Sequence, residues 1–220
     1  MHTQAVEDYL KNIYELQTTT GKVSTTGLAD RLGVAPASVT GMVKKLAAMK
    51  LLKHEPYRGV ELTKAGEKIA LEVIRHHRLV ESYLAETLGV PWDKVHAEAD
   101  KWEHILSEEM EDRISAKLGH PTTDPHGAPI PARDGSLPET EFRRLSELGP
   151  GERAVVAEVS DHDSELLRYL GELGLFPHAE VRVISTAPFQ GPVTIEIGGK
   201  EHAVGREVAG HVLVGARSNK

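Results

Sequence analysis

Apolar side chains at Val6, Tyr9, Leu10, Ile13, Tyr14 and Leu16 recur at helical spacing, which predicts an amphipathic helix over residues 3–17, ended by Gly21. A second, shorter helix is expected over Ser24–Arg31, with Ser24 or Thr25 as its cap, Leu28 and Leu32 facing inward and Gly33 closing it. The third begins near Pro36, a residue suited to a first helical turn, and runs to Leu46 with Val39, Val43 and Leu46 as its buried stripe. Two strand-like pieces follow in residues 51–62, around Tyr57-Arg58-Gly59. A long helix is predicted over Thr63–Leu88, stopped by Gly89-Val90-Pro91, then one over Val95–Ile105 and one over Glu108–Leu118 with Met110, Ile114 and Leu118 on one side. Residues 120–138 contain five prolines in nineteen positions and show no period, the signature of a linker or extended tether. Beyond Leu148 the period shortens. Strands are expected over 154–159, 181–184, 193–197, 202–204 and 211–214, with Gly198-Gly199 as a hairpin turn and one helix over Ser164–Leu173.

These elements predict a mainly α chain with a small β part. A winged helix-turn-helix domain would span 1–63, a helical metal-binding and dimerisation domain 64–136, a linker 137–147, and an SH3-like β-barrel 148–220. Short helix, glycine-containing turn and second helix with small polar residues near its start is the pattern whose second helix enters the major groove. The outward face of that helix offers Ala37, Ser38, Thr40, Lys44 and Lys45, and Arg58 in the wing could reach a phosphate. A plain three-helix bundle with a hairpin is the alternative.

Composition narrows the chemistry. With 40% hydrophobic and 27% charged residues the chain has an ordinary globular balance, and no apolar run is long enough to span a bilayer, so a cytoplasmic protein with no membrane partner is expected. Cysteine is absent, so disulfides, iron–sulfur clusters and thiolate zinc sites are excluded and any metal must be held by nitrogen and oxygen. The net charge of −7 is unevenly spread: residues 1–75 carry 11 Lys+Arg against 8 Asp+Glu, the remaining 145 carry 15 against 25. A mildly basic amino-terminal module on an acidic body is compatible with DNA binding.

The stretch from His96 to His104 concentrates candidate chemistry. At about 100° per residue on a helix, His96, Asp100, Glu103 and His104 fall in one wedge about 100° wide while Trp102 points away. Crowded carboxylates repel and are costly to bury unpaired, so a divalent cation between them is the physical solution favoured here; a solvated acidic helix face is the alternative. Upstream, His77 and Glu81 lie four apart on one helix face and either form a surface pair or join a shared metal site.

The residues now in view resemble a known family. Glu7-Asp8-Tyr9-Leu10 and Ile13-Tyr14-Glu15-Leu16 in the first helix, Tyr57-Arg58-Gly59 with Leu62-Thr63, the run His76 to Glu81, Lys94-Val95-His96 and Trp102-Glu103-His104 resemble the diphtheria toxin repressor family of metal-dependent transcriptional regulators. The likeness extends through Pro125 to Pro131 and more loosely into Leu167–Val183, similar to an SH3-like domain shared with an iron-transport accessory protein. The resemblance implies a homodimer whose winged helices bind a palindromic double-stranded DNA operator when metal is present, with no small-molecule substrate and no enzymatic activity. It places an activating metal site on Asp8, Asp100, Glu103 and His104, and a second on His77, Glu81 and His96, completed from the carboxy-terminal domain by Asp163. Iron-responsive members have a Met and a Cys where Asp8 and Asp100 stand. The carboxylates here therefore suit Mn(II) first and Fe(II) second, with Co(II) or Zn(II) able to substitute. Lys11 departs from manganese-responsive members, which have a carboxylate there, and so speaks against their two-metal cluster. Two further readings stay open: a metal-dependent hydrolase, and a winged-helix regulator sensing another signal.

Overall fold

The computed structural model describes residues 2–21, 23–55 and 59–215; Tyr57 and Arg58 lie outside the described residues. Helices α1 (Gln4–Thr20), α2 (Thr25–Leu32) and α3 (Pro36–Ala48) precede a hairpin of β1 (Leu52–Glu55) and β2 (Gly59–Leu62). Then come α4 (Lys64–Leu88), α5 (Val95–Trp102) and α6 (Glu108–Lys117). The carboxy-terminal part contains β3 (Arg143–Arg144), a 3-10 turn, β4 (Arg153–Val159), α7 (Ser164–Leu173), β5 (Glu180–Thr186), β6 (Val193–Ile197), β7 (Lys200–Val204), α8 (Arg206–Ala209) and β8 (Val212–Gly215). The chain folds as two compact units. One comprises residues 1–77, 103–106 and 131–136, the other 78–102, 107–130 and 137–220.

In the first unit the apolar stripes read from the sequence converge. Leu10, Ile13, Leu28, Val39, Val43 and Leu46 are fully buried in one core, each contributing about 1.5–3 kcal/mol of burial. Ser24 caps α2 by accepting from the Gly27 amide, and Gly33 ends that helix in the left-handed conformation. Burying the Val39/Val43/Leu46 stripe of α3 leaves Ala37, Ser38, Thr40, Lys44 and Lys45 exposed. The hairpin pairs Leu52 with Leu62 and Lys53 with Glu61, and Val23 bridges Val60 beside it.

The second unit is built on a six-stranded sheet, ordered β3-β8-β4-β5-β6-β7, around a core that includes Val156, Leu167, Leu170, Val183, Ile195 and Val212. Helix α7 covers it, and Trp92, just before α5, packs against the same core and against Phe176. The expected turn at Gly198-Gly199 joins β6 to β7, with φ of 57° and 75°; both residues need positive φ, which glycine adopts without strain. The short β3, the 3-10 turn and α8 have no counterpart in the hydropathy pattern.

Two expectations are corrected. The helix expected to reach Ile105 stops at Trp102, and Glu103 and His104 lie in the turn that follows. The four-residue wedge therefore does not form on one helix face: ion pairs from Glu103 and His104 to α1 and α4, described below, outweigh the local helical preference. The second correction concerns residues 120–138. Far from a free tether, the segment around 124–131 is an ordered strap with Asp124, His126, Ala128 and Ile130 buried. Asp124 Oδ1 accepts from the amides of His126 (2.8 Å) and Ala128 (3.0 Å), which folds the strap back on itself. Gly127, at φ +92°, brings the strap so close to β4 that a Cβ there would stand 1.9 Å from the Ala157 carbonyl oxygen. Gly127→Ala should accordingly cost on the order of 2 kcal/mol or more, seen as a lowered thermal midpoint of the metal-free chain.

Candidate metal centre

In the first unit, helix α1 presents Glu7, Asp8 and Lys11 to the turn after α5. His104 Nε2 comes to 2.7 Å from Asp8 Oδ1 and 3.2 Å from Glu103 Oε1, and one ligand atom from each of the three residues lies within 4.8 Å of the others. The opposite ring nitrogen, Nδ1, is 2.7 Å from Glu7 Oε2. The other oxygen of Glu103 accepts from Lys11 Nζ at 2.7 Å and also meets His77 Nδ1. Lys11 Nζ is 3.0 Å from that same imidazole nitrogen. Lys11 is only 6% exposed, so a full ammonium is buried here against a carboxylate.

The electrostatics follow from these contacts. Burial alone would lower the His104 pKa, but the facing carboxylates of Asp8, Glu103 and Glu7 prevail and lift it to about 10. Burial would raise Glu103, yet His104, His77 and the Lys11 charge hold it well below the carboxylate range. Despite its acidic surroundings the buried His104 Nε2 makes no aligned hydrogen bond. A divalent cation fits this atom and the facing carboxylate oxygens, with hard oxygen and imidazole donors.

A second cluster lies within the other unit. His96 Nδ1 on α5 is 3.1 Å from Glu81 Oε1 on α4 and 3.3 Å from Asp161 Oδ2. The strap adds His126, whose Nδ1 is 3.8 Å from Glu81 Oε1, and Asp124. Glu81, Asp124, His126 and Asp161 each place a ligand atom within 4.8 Å of the others. His126 Nε2 lies 2.8 Å from the Trp92 carbonyl and donates there, so Nδ1 is the nitrogen that faces the cluster and would coordinate on losing its proton. Neither that Nδ1 nor Asp124 Oδ2 makes a hydrogen bond, though both are buried. Burial and the nearby Glu81 charge push Asp124 up. His96, which burial would lower, is raised to about 10 by Asp161 and Glu81, and His126 rises against its burial to about 9 through Glu81.

The sequence-derived site residues thus distribute as follows. Asp8, Glu103 and His104 come together, with His77 bonded to Glu103; Asp100 belongs to the other unit, exposed on α5, its Oδ2 3.9 Å from His96 Nε2. Glu81 and His96 meet, but the barrel carboxylate beside them is Asp161. Asp163 is exposed and caps α7 by accepting from the amides of Glu165 and Leu166. Asp124, His126 and Glu7 were missed.

Known proteins place this arrangement. Residues 1–60 match the family described as iron dependent repressor, N-terminal DNA binding domain, residues 63–132 the iron dependent repressor metal binding and dimerisation domain, and residues 143–216 the FeoA domain. The iron-dependent repressor IdeR of Mycobacterium tuberculosis is 36% identical over 208 residues, 89% of this chain and 90% of the relative. This chain belongs to the diphtheria toxin repressor family. A solved manganese-dependent transcriptional repressor in complex with manganese is 38% identical, with a TM-score of 0.91 over 96% of this chain and all of that one. The repressor ScaR with bound Cd2+ is 33% identical, with a TM-score of 0.84 over 96% of this chain and 99% of the other. As a member of this repressor family the chain is a metal-responsive DNA-binding regulator and not an enzyme, which sets the hydrolase reading aside. Its carboxy-terminal sheet is the family's FeoA domain, and no helix among the described residues is long and apolar enough to cross a membrane.

Because the carboxylates around His104 hold a proton on its ring, an ion bound through Nε2 would have to release it. Lower pH means more protons to displace, so apparent affinity should weaken about tenfold per pH unit for each proton released. Calorimetry at pH 7 in two buffers of different ionisation enthalpy should show that release.

Proposed function

We propose that the chain represses metal-homeostasis genes as a homodimer that binds a palindromic operator when loaded with Mn(II), with Fe(II) the second choice and Co(II) or Zn(II) able to substitute. Such a repressor works in the cytoplasm, beside its operator. The observation carrying this reading is the meeting of Asp8, on the first helix of the DNA-binding unit, with Glu103 and His104, some 95 positions away in sequence. The ligand set is Asp8, Glu103 and His104, with Asp100 as the fourth member implied by the family pattern. The second set is Glu81, His96, Asp124, His126 and Asp161, with His77 also assigned there by that pattern.

A bound cation supplies positive charge that neutralises the carboxylates and draws their oxygens together. The chain's own part is to tie α1 to the turn at 103–106, which fixes the pose of α3. Two recognition helices held about 34 Å apart, one per protomer, would match successive major grooves. Ala37, Ser38, Thr40, Lys44 and Lys45 form the reading face, with Arg58 assigned to the wing; Gly41 offers no side chain, so DNA shape carries part of the specificity. Hard carboxylate donors in place of soft ones support the choice of Mn(II) as the first metal, with geometry and availability deciding among the others. A gel shift on the upstream region of the chain's own gene and on a neighbouring metal-transporter promoter, run with each metal in turn, tests the proposal. Retardation by Mn(II) is expected, activation by Fe(II) but not Mn(II) overturns the ranking, and retardation indifferent to chelator overturns metal dependence.

A further inference from the structure

The grip on His104 comes from two adjacent residues of one helix. Asp8 faces its Nε2 and Glu7 faces its Nδ1, both at 2.7 Å. Glu7 is no member of either ligand set. Its carboxylate is turned toward the ring nitrogen that a cation at Asp8 and Glu103 would not touch.

We infer that Glu7 is a positioning residue that accepts the His104 Nδ1–H and thereby holds Nε2 toward the cation. An imidazole can coordinate through either nitrogen and rotate about its side-chain bonds, so an unbraced His104 would spend part of its time turned away. A carboxylate on the far nitrogen fixes which one carries the proton, fixes the ring plane and makes Nε2 a better donor. Since Glu7 and Asp8 are consecutive on α1, brace and ligand move as one body. A displacement of the first helix would pull on both sides of the same ring. Lys11, one turn further along, holds Glu103 by Oε2 and leaves Oε1 toward His104. The inference rests on the metal site read above.

The test uses the full chain and Zn(II) alone, a diamagnetic probe followed at the ring resonances of His104, so that the second cluster does not enter the reading. In wild type a slowly exchanging Nδ1–H resonance is expected in both metal-free and zinc-loaded protein. Glu7→Ala should lose it and weaken zinc binding about 10–100-fold. Glu7→Gln, whose amide oxygen can accept the same proton, should restore most of both. Unchanged affinity and an unchanged Nδ1–H in Glu7→Ala would overturn the inference. So would Glu7→Gln as damaging as Asp8→Ala, which would make Glu7 a ligand. Asp8→Ala separates the two levels: if it weakens zinc while Glu7→Ala does not, only the brace fails; if neither matters, the site itself does.

Discussion

Asp8→Ala should abolish metal-dependent operator binding while leaving a folded metal-free protein. The substitution removes the one ligand that α1 contributes to the Asp8, Glu103 and His104 group, and with it the link a cation would make between the DNA-binding helices and the turn at 103–106; the Glu7–His104 and Lys11–Glu103 pairs remain. Ion affinity at this site should drop by more than about 100-fold, since even a group behind a ligand is worth 10–100-fold. The fold should tolerate the change because the Asp8 side chain is 37% exposed and belongs to no apolar core; a cost within about 1 kcal/mol is expected. Gel shifts at rising Mn(II), alongside thermal melts without metal, measure the two quantities. Wild-type retardation by the variant at wild-type metal concentrations would sink the regulatory account.

Glu81→Gln should have the second large effect, on stability with metal rather than on the metal-free fold. Glu81 is fully buried at the centre of the second cluster, facing His96 on one side and His126 on the other. An ion bound only by the folded chain stabilises it by about 2.7 kcal/mol when present at 100 times its dissociation constant, or roughly 2–4 °C in thermal midpoint per kcal/mol for a chain of this size. Glutamine keeps the volume but removes the charge, so the variant should lose this share of the Mn(II)-induced rise and bind one ion fewer per chain. Equal Mn(II) stabilisation of variant and wild type would show that the cluster holds no ion.

Much of the fold was legible because local chemistry and tertiary packing agree. The stripe of Val39, Val43 and Leu46 is the buried face of α3, Ser24 caps α2 as read, and α7 spans the residues its period marks. Legibility failed where contacts distant in sequence decide. Nothing near Trp102 announces that α5 ends there; the helix gives way because Glu103 is held by Lys11 and His77, and His104 by Glu7 and Asp8. Asp124 and His126 sit in a proline-rich stretch with no period, where composition says linker and only the fold reveals a strap. The choice between Asp161 and Asp163 did leave a trace. An Asp directly before a helical run is spent as its cap, and Asp163 precedes Ser164, which frees Asp161 for His96 and Glu81.

The buried ammonium of Lys11 bears on what an ion must supply to such a regulator. When the ion departs, Glu7, Asp8 and Glu103 are not left as three bare negatives, because Lys11 remains on Glu103 and His104 is protonated at neutral pH. The residual imbalance is about one unit of charge instead of three, and the push that drives α1 away is correspondingly soft. Swinging a two-state equilibrium from 1:99 to 99:1 takes about 5.5 kcal/mol. With its resting repulsion mostly cancelled from within, the turn at 103–106 can rest beside α1 without an ion, so a cation would have to supply such a swing through its own ligand contacts more than through relief of crowded carboxylates.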